Sequence, residues 1–501
     1  MPSTEFRTHA QLILDRLDEA GDLMVCADAT RRCTADEFAR EIRSFRHTLA
    51  ARGVKRGELV ALIAPNTVTA LAVRFAASLT GAVTVVCPGA DSPDRLNAFL
   101  SGLDPATVVV FEAGAAADIT AVAADRIWDA TDPMPDLCAA EDPAAEVSVR
   151  ADDPCILVAT GGTTGTSKSS IRDFAAYRHL IGGPSSPTRR QLVCTPLAYI
   201  AQTAVDQTLL AGGVVFLHDR FDPHEVLESI ERDRITHIAL VEPLLVELVD
   251  CPTRPDHDLS SLQAVTHVGA DAPPELRHRL LTALRPGVLA HVYGASEFGP
   301  ACALAGADYS LDRPDLLGSA GRALPGVEVR IVDDAGRAMD HGRLGRIEVR
   351  SPGAATAYWG ARAERDRFHS DGWFRSSDFG EIDEEGYLRV RGREADRRVI
   401  DGVPLWPLDI ENAMSGHPAV RYAVAAPLDS ETADFAVWVV LAPGSGINEQ
   451  DLRSHLVAVG GPRLADVHLQ RVLTMPVTAQ GKPDRRRLLS QIGVTSGGQH
   501  L

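Results

Sequence analysis

The chain has 501 residues, more than one hydrophobic core accommodates, and the length implies about two to four domains. Hydrophobic residues at 45% and charged residues at 24% are ordinary for a folded globular protein. A formal net charge of −18 argues against nucleic acid or an anionic membrane as partner, while leaving room for a locally basic site that takes a small anionic molecule.

No apolar run reaches about 18 residues, so no membrane span is expected. Met1-Pro2-Ser3-Thr4-Glu5 lacks the basic and apolar stretches of a signal peptide, which points to the cytoplasm. The 8 cysteines are scattered and form no Cys-x-x-Cys pair, so buried free thiols are expected rather than zinc ligands or disulfides.

Ala35 to Arg52 carries helical periodicity. Leu59 to Ala64 is a short apolar run stopped by Pro65-Asn66, and Val83 to Val86 is another. This strand–helix alternation predicts an α/β fold with a mostly parallel sheet. Asp132 to Asp153, rich in Pro, Asp and Ala, reads as a surface connection. Cys155 to Ala159 reads as a buried strand. The rhythm then resumes with strands at Gln191–Cys194 and Val214–Leu217, a helix at Pro223–Arg232 and a strand at Thr236–Val241. From Val327 the pattern changes to short alternating strands, Val327–Ile331 and Arg346–Val349, which predicts a small antiparallel or β-barrel-like part. A small α/β tail follows Glu394, with a strand from Ala436 to Leu441.

The most chemically specific stretch follows the strand at Cys155–Ala159. It reads Thr160-Gly161-Gly162-Thr163-Thr164-Gly165-Thr166-Ser167-Lys168-Ser169. Glycines let backbone N–H groups turn toward an anion, hydroxyls add donors, and Lys168 adds a full charge. A glycine-rich turn leaving a buried strand suits a polyphosphate. The Walker loop wants glycine directly before the lysine, and Ser167 stands there instead.

Further clusters follow in order: Tyr293-Gly294-Ala295-Ser296-Glu297, Trp373 to Asp378, Gly392-Arg393 and Gln480-Gly481-Lys482. Together with the glycine-rich loop, their order and spacing resemble the adenylate-forming superfamily of acyl-CoA synthetases, aryl-acid ligases and luciferases. Gly53-Val54, Arg56-Gly57-Glu58 and Pro65-Asn66 are similar to its first characteristic stretch, and Gly392 to Glu411 is similar to its hinge region. The resemblance implies an AMP-forming ligase of a small-molecule substrate, with ATP and Mg²⁺ bound at a domain junction. It implies a large N-terminal adenylation region, residues 1–393, and a small mobile C-terminal α+β domain, residues 394–501.

The resemblance also implies roles. Thr160, Gly161, Gly162, Thr163, Thr164, Gly165 and Lys168 would cradle the phosphates, and Ser296 would bond the α-phosphate. Glu297 would hold Mg²⁺, a hard cation suited to oxygen ligands. Tyr293 and Gly294 would face adenine, while Asp378 and Arg393 would take the ribose. Lys482 would bridge the attacking anion and the α-phosphate, where a positioned cation helps most. With Lys482, Glu297 and Asp378 all present, a catalytically silent nucleotide binder is disfavoured.

Two readings of the activated anion stay open. The loop resembles the variant of aryl-acid ligases, which implies a carboxylate, with or without transfer to CoA. Three departures favour a branch that adenylates nitrite for an aromatic amine, without CoA. Tyr199 replaces a usual histidine; Glu242 and Asp271 put carboxylates beside Gly269 and Ala270 in the expected substrate pocket; Ala395 stands at the pivot unless Asp396 takes that place.

Overall fold

The computed structural model describes residues 6–89, 92–112, 115–130, 147–159, 168–270, 272–360, 365–429 and 434–492. Residues 160–167 of the glycine-rich run, Asp271 and much of the connection from Asp132 to Asp153 therefore lie outside the described residues.

Two large sheets dominate the N-terminal part. One has nine strands and places Ala264–Val268, His237–Val241, Arg190–Val193 and Val214–Leu217 side by side at its parallel centre. The other has seven strands, with Pro154–Ala159, Val83–Val86, Leu59–Ile63 and Thr107–Val110 parallel at its centre. These central strands are near-continuous runs of Val, Ile and Leu because helices cover both faces. The helix Ala35–Ala51 is opened by a reciprocal capping box between Thr34 and Glu37, and Pro223–Arg232 starts where Asp222 accepts from two backbone N–H groups.

The alternating strands after Val327 form a four-stranded antiparallel sheet, Glu328–Val332, Gly345–Arg350, Trp373–Ile382 and Leu388–Arg393. A bridge from Leu388 to Gly321 ties it to the larger body. After Arg393 come one 3₁₀ turn at Glu394–Asp396, a hairpin (Arg398–Ile400 with Val403–Leu405), and a three-stranded sheet flanked by Pro407–Ser415 and Glu449–Gly460. The architecture is thus a large N-terminal α/β region with a small C-terminal α+β domain. Gly392 shows how tightly the connection is built: its φ is +142°, and an added Cβ would stand 2.5 Å from Cδ1 of Trp406. The Trp406 indole is fully buried and donates to the Arg393 carbonyl at 2.9 Å.

No described helix is long and apolar enough to cross a membrane. Among the described residues the cysteines are free and buried.

The helices packed between the two large sheets share a buried ionic cluster. Arg74 pairs with Asp206 through two hydrogen bonds, and the Tyr177 hydroxyl donates to Asp206 at 2.6 Å. Burial and Asp206 push the Tyr177 hydroxyl well up, and burial brings His9, 3.8 Å from Asp206, down to about 4. Removing one member leaves the other charge buried without its partner. Asp206→Ala is expected to cost about 3–5 kcal/mol, read as an earlier midpoint in urea unfolding.

Candidate active site

The site lies where the C-terminal ends of the parallel strands of both sheets meet, the usual ligand crevice of open α/β sheets. Tyr293 to Glu297 runs off the end of Leu289–Ala295. The Ser296 carbonyl accepts from Ser170 Oγ at 2.8 Å and from Arg172 Nη2 at 2.7 Å, while Arg172 Nε donates to the Gly353 carbonyl at 2.7 Å. Arg172 is fully buried, and desolvation brings it down to about 10 with Glu297 opposing the shift. The strand that follows the glycine-rich run, Ser169–Asp173, therefore fixes the Ser296–Glu297 turn.

Glu297 Oε1 accepts from the Tyr358 hydroxyl at 2.7 Å. Lys168 Nζ stands 5.9 Å from the centre of the same Tyr358 ring. Tyr358 thus links the loop's lysine to the acid. On the facing sheet Asp378 and Arg393 are cross-strand partners, with Arg393 Nε 3.9 Å from Asp378 Oδ1. Tyr293 Oη donates to Asp378 Oδ2 at 2.7 Å, and burial followed by Asp378 pushes its hydroxyl well up.

Lys482 arrives from the other domain. It sits in a tight turn closed by Thr478 N–H to the Lys482 carbonyl at 2.8 Å and Gly481 N–H to the Thr478 carbonyl at 2.8 Å. The turn presses on the N-terminal region. A Cβ on Gly481, whose φ is +80°, would lie 2.6 Å from Leu244 Cδ1, and one on Gly269 would lie 2.9 Å from Lys482 Cε. Tyr199 is bonded to Gln480, and Gly89 faces Ala479. Burial lowers the Lys482 ammonium to about 8, with Arg393 and Arg485 adding to the shift and Asp378 and Glu297 opposing it.

The structure thus brings together Lys168, Tyr293, Gly294, Ser296, Glu297, Asp378, Arg393, Gly269 and Lys482. Ala270 follows Gly269 at the strand end, partly buried. Tyr199 lies at the same turn through Gln480. Glu242 is buried in the first turn of the helix Glu242–Val249 and bonded to the Tyr422 hydroxyl on the C-terminal sheet. Sequence reasoning missed Arg172, Ser170 and Tyr358. Arg172 had a signal, since an arginine three residues past the glycine-rich run must be paired or bonded if it points inward.

A family model described as AMP-binding enzyme matches residues 15–359. A feruloyl-CoA synthase of Amycolatopsis sp is 30% identical over 465 residues, covering 90% of this chain and 92% of that protein. An indoleacetate–CoA ligase of Aromatoleum aromaticum is 31% identical over 415 residues, covering 78% and 80%. The solved amide bond synthetase McbA from Marinactinospora thermotolerans superposes with a TM-score of 0.85 at 27% identity, over 96% of this chain and 99% of that one. Fold and family together define an adenylate-forming enzyme, an AMP-forming ligase that consumes ATP. The chain belongs to the AMP-binding enzyme family.

With Lys482 as the expected adenylation lysine, its environment is expected to set a pH limb. The ammonium is charged below about 8 and neutral above it. Since only the charged form stabilises negative charge on phosphorus, kcat/KM for adenylate formation is expected to hold below that pH and fall as pH rises through it. In Lys482→Arg, which stays protonated, the residual activity should lose this limb; pyrophosphate release measured across pH checks both.

Proposed function

We propose that the enzyme activates an aryl carboxylate as its acyl-AMP, releasing pyrophosphate, and passes the acyl group to CoA. The carrying observation is the Lys482 ammonium, held at the strand ends with Asp378 and Glu297 close enough to act on its charge. The relatives named for feruloyl, indoleacetate and 2-succinylbenzoate substrates support an aromatic acid.

In this reading two anions, the carboxylate and the α-phosphate, must approach, and their repulsion falls to the site's cations. Lys482 bridges them, and Ser296 bonds the α-phosphate. Lys168, with Thr163, Thr164 and the backbone of residues 160–165, holds the outer phosphates. Tyr293 and Gly294 flank adenine, and Asp378 with Arg393 receives the ribose. Glu297 suits Mg²⁺, which binds through one or two carboxylates plus phosphate oxygens. Bound there, the ion would neutralise phosphate charge.

We place the domain boundary between Arg393 and Glu394, with Glu394–Asp396 as the pivot. Arg346 holds Glu394 through two hydrogen bonds of 2.8 Å, a pair that rotation would have to release. A reducing cytoplasm suits the buried thiols. The nitrite reading loses one support, because the Glu242 carboxylate is engaged by Tyr422. An amine acceptor in place of CoA is the second reading, favoured by the likeness to the amide bond synthetase.

Pyrophosphate release is to be measured with aryl and alkyl carboxylates, and with nitrite plus an aromatic amine, each with CoA, an amine or neither. Release that needs an aryl carboxylate and is accelerated by CoA supports the proposal; acceleration by amine alone supports the second reading; release that needs nitrite overturns both. Lys482→Ala is expected to lower adenylation by roughly 10²–10³-fold while ATP binding, measured by calorimetry, persists.

A further inference from the structure

The helix Glu242–Val249 touches the C-terminal domain at both of its ends. At its start, buried Glu242 accepts from Tyr422 on the strand Val420–Pro427. At its C-cap, Asp250 Oδ2 takes Arg421 Nε at 2.5 Å. Arg279, from the neighbouring helix Pro274–Ala283, stands 3.4 Å from Asp250 and donates to the Arg421 carbonyl at 2.9 Å. Between these ends Leu244 meets Gly481.

The other half of the path lies within the C-terminal domain. Arg485, three residues after Lys482, donates to the Ala425 carbonyl at 2.7 Å and to Glu411 at 2.8 Å, and Glu411 accepts from Ala425 N–H at 2.8 Å. The strand that carries Arg421 and Tyr422 is therefore locked to the segment that carries Lys482. Apolar packing continues across the seam: Tyr422, Val424 and Leu488 belong to the same buried cluster as Leu244 and Leu245.

We propose that the helix Glu242–Val249 is the seat of the C-terminal domain, and that Glu242 and Asp250 are positioning residues for Lys482. They touch no substrate. They fix the angle at which the domain docks, and with it the reach of the ammonium. A neutral apolar residue at position 242 would pack against the seam but could not receive the Tyr422 hydroxyl. The proposal rests on Lys482 being the adenylation lysine.

The test compares Glu242→Gln, Tyr422→Phe, Asp250→Arg, Arg421→Asp and the exchange Asp250→Arg with Arg421→Asp. Each single change is expected to lower kcat for adenylate formation about ten- to a hundredfold, the scale of a small misplacement of a catalytic group. KM for ATP and calorimetric ATP affinity stay within about twofold of the parent if only the Lys482 contact is lost. The exchange recovers most of the loss from its two single changes. On a Lys482→Ala background the same substitutions cost nothing further, because the group they position is gone. Unchanged kcat in the single variants, losses that multiply on the Lys482→Ala background, or weakened ATP binding would overturn the proposal. The partly exposed Asp250–Arg421 pair keeps the test open should Glu242→Gln not fold. If Lys482→Ala itself keeps its rate, the fault lies in the functional reading and not in the seat.

Discussion

A lysine ammonium supplied by one domain is held at the strand ends of another, and the charged groups around it answer to that constraint. Taking Lys482 out of water favours its neutral form, and Arg393 and Arg485 push the same way. Asp378 and Glu297 offset the cost, so the amine stays close to the pH where it can still carry charge. A polyphosphate entering such a site would strengthen the charged form, because opposite charge nearby favours ionisation.

The acids that steady Lys482 are themselves fixed from outside the motifs. Asp378 is held by Tyr293 and by its register with Arg393. Glu297 is held by Tyr358, and the turn that presents it hangs on Ser170 and Arg172. A buried arginine bonded to two backbone carbonyls is an expensive anchor, retained where a backbone turn must not drift. The nearby His267–His291 pair, 3.2 Å apart between Nδ1 atoms, is different: burial brings His267 down to about 3 and holds His291 well below its ordinary value, so both stay neutral.

Much of the fold was legible because its elements carry local signals. Val214–Leu217 and Pro223–Arg232 stand where the sequence places them, since a β-branched run and an Asp222-Pro223 cap are decided by neighbouring residues. Ends shift by a residue elsewhere, as at Gly345–Arg350 against the expected Arg346–Val349, because the ladder partner and not the side-chain pattern ends a strand. The sequence reading assigned Glu242 to the substrate pocket from its place in a motif. Its partner, Tyr422, lies 180 positions along the chain, and no periodicity or spacing connects the two.

The order of the phosphate-loop, Tyr293–Glu297, Asp378, Arg393 and Lys482 motifs is a property of the sequence alone, and it determined the family and the chemistry. What only the tertiary structure decided is which of those groups meet and what holds them. Tyr358 joins Lys168 to Glu297, Arg172 ties down Ser296, and one helix receives the C-terminal domain at both its ends. The reason is physical: a motif reflects the local chemistry of its own residues, whereas desolvation, ion pairing and docking depend on distances between segments that only the packed chain sets.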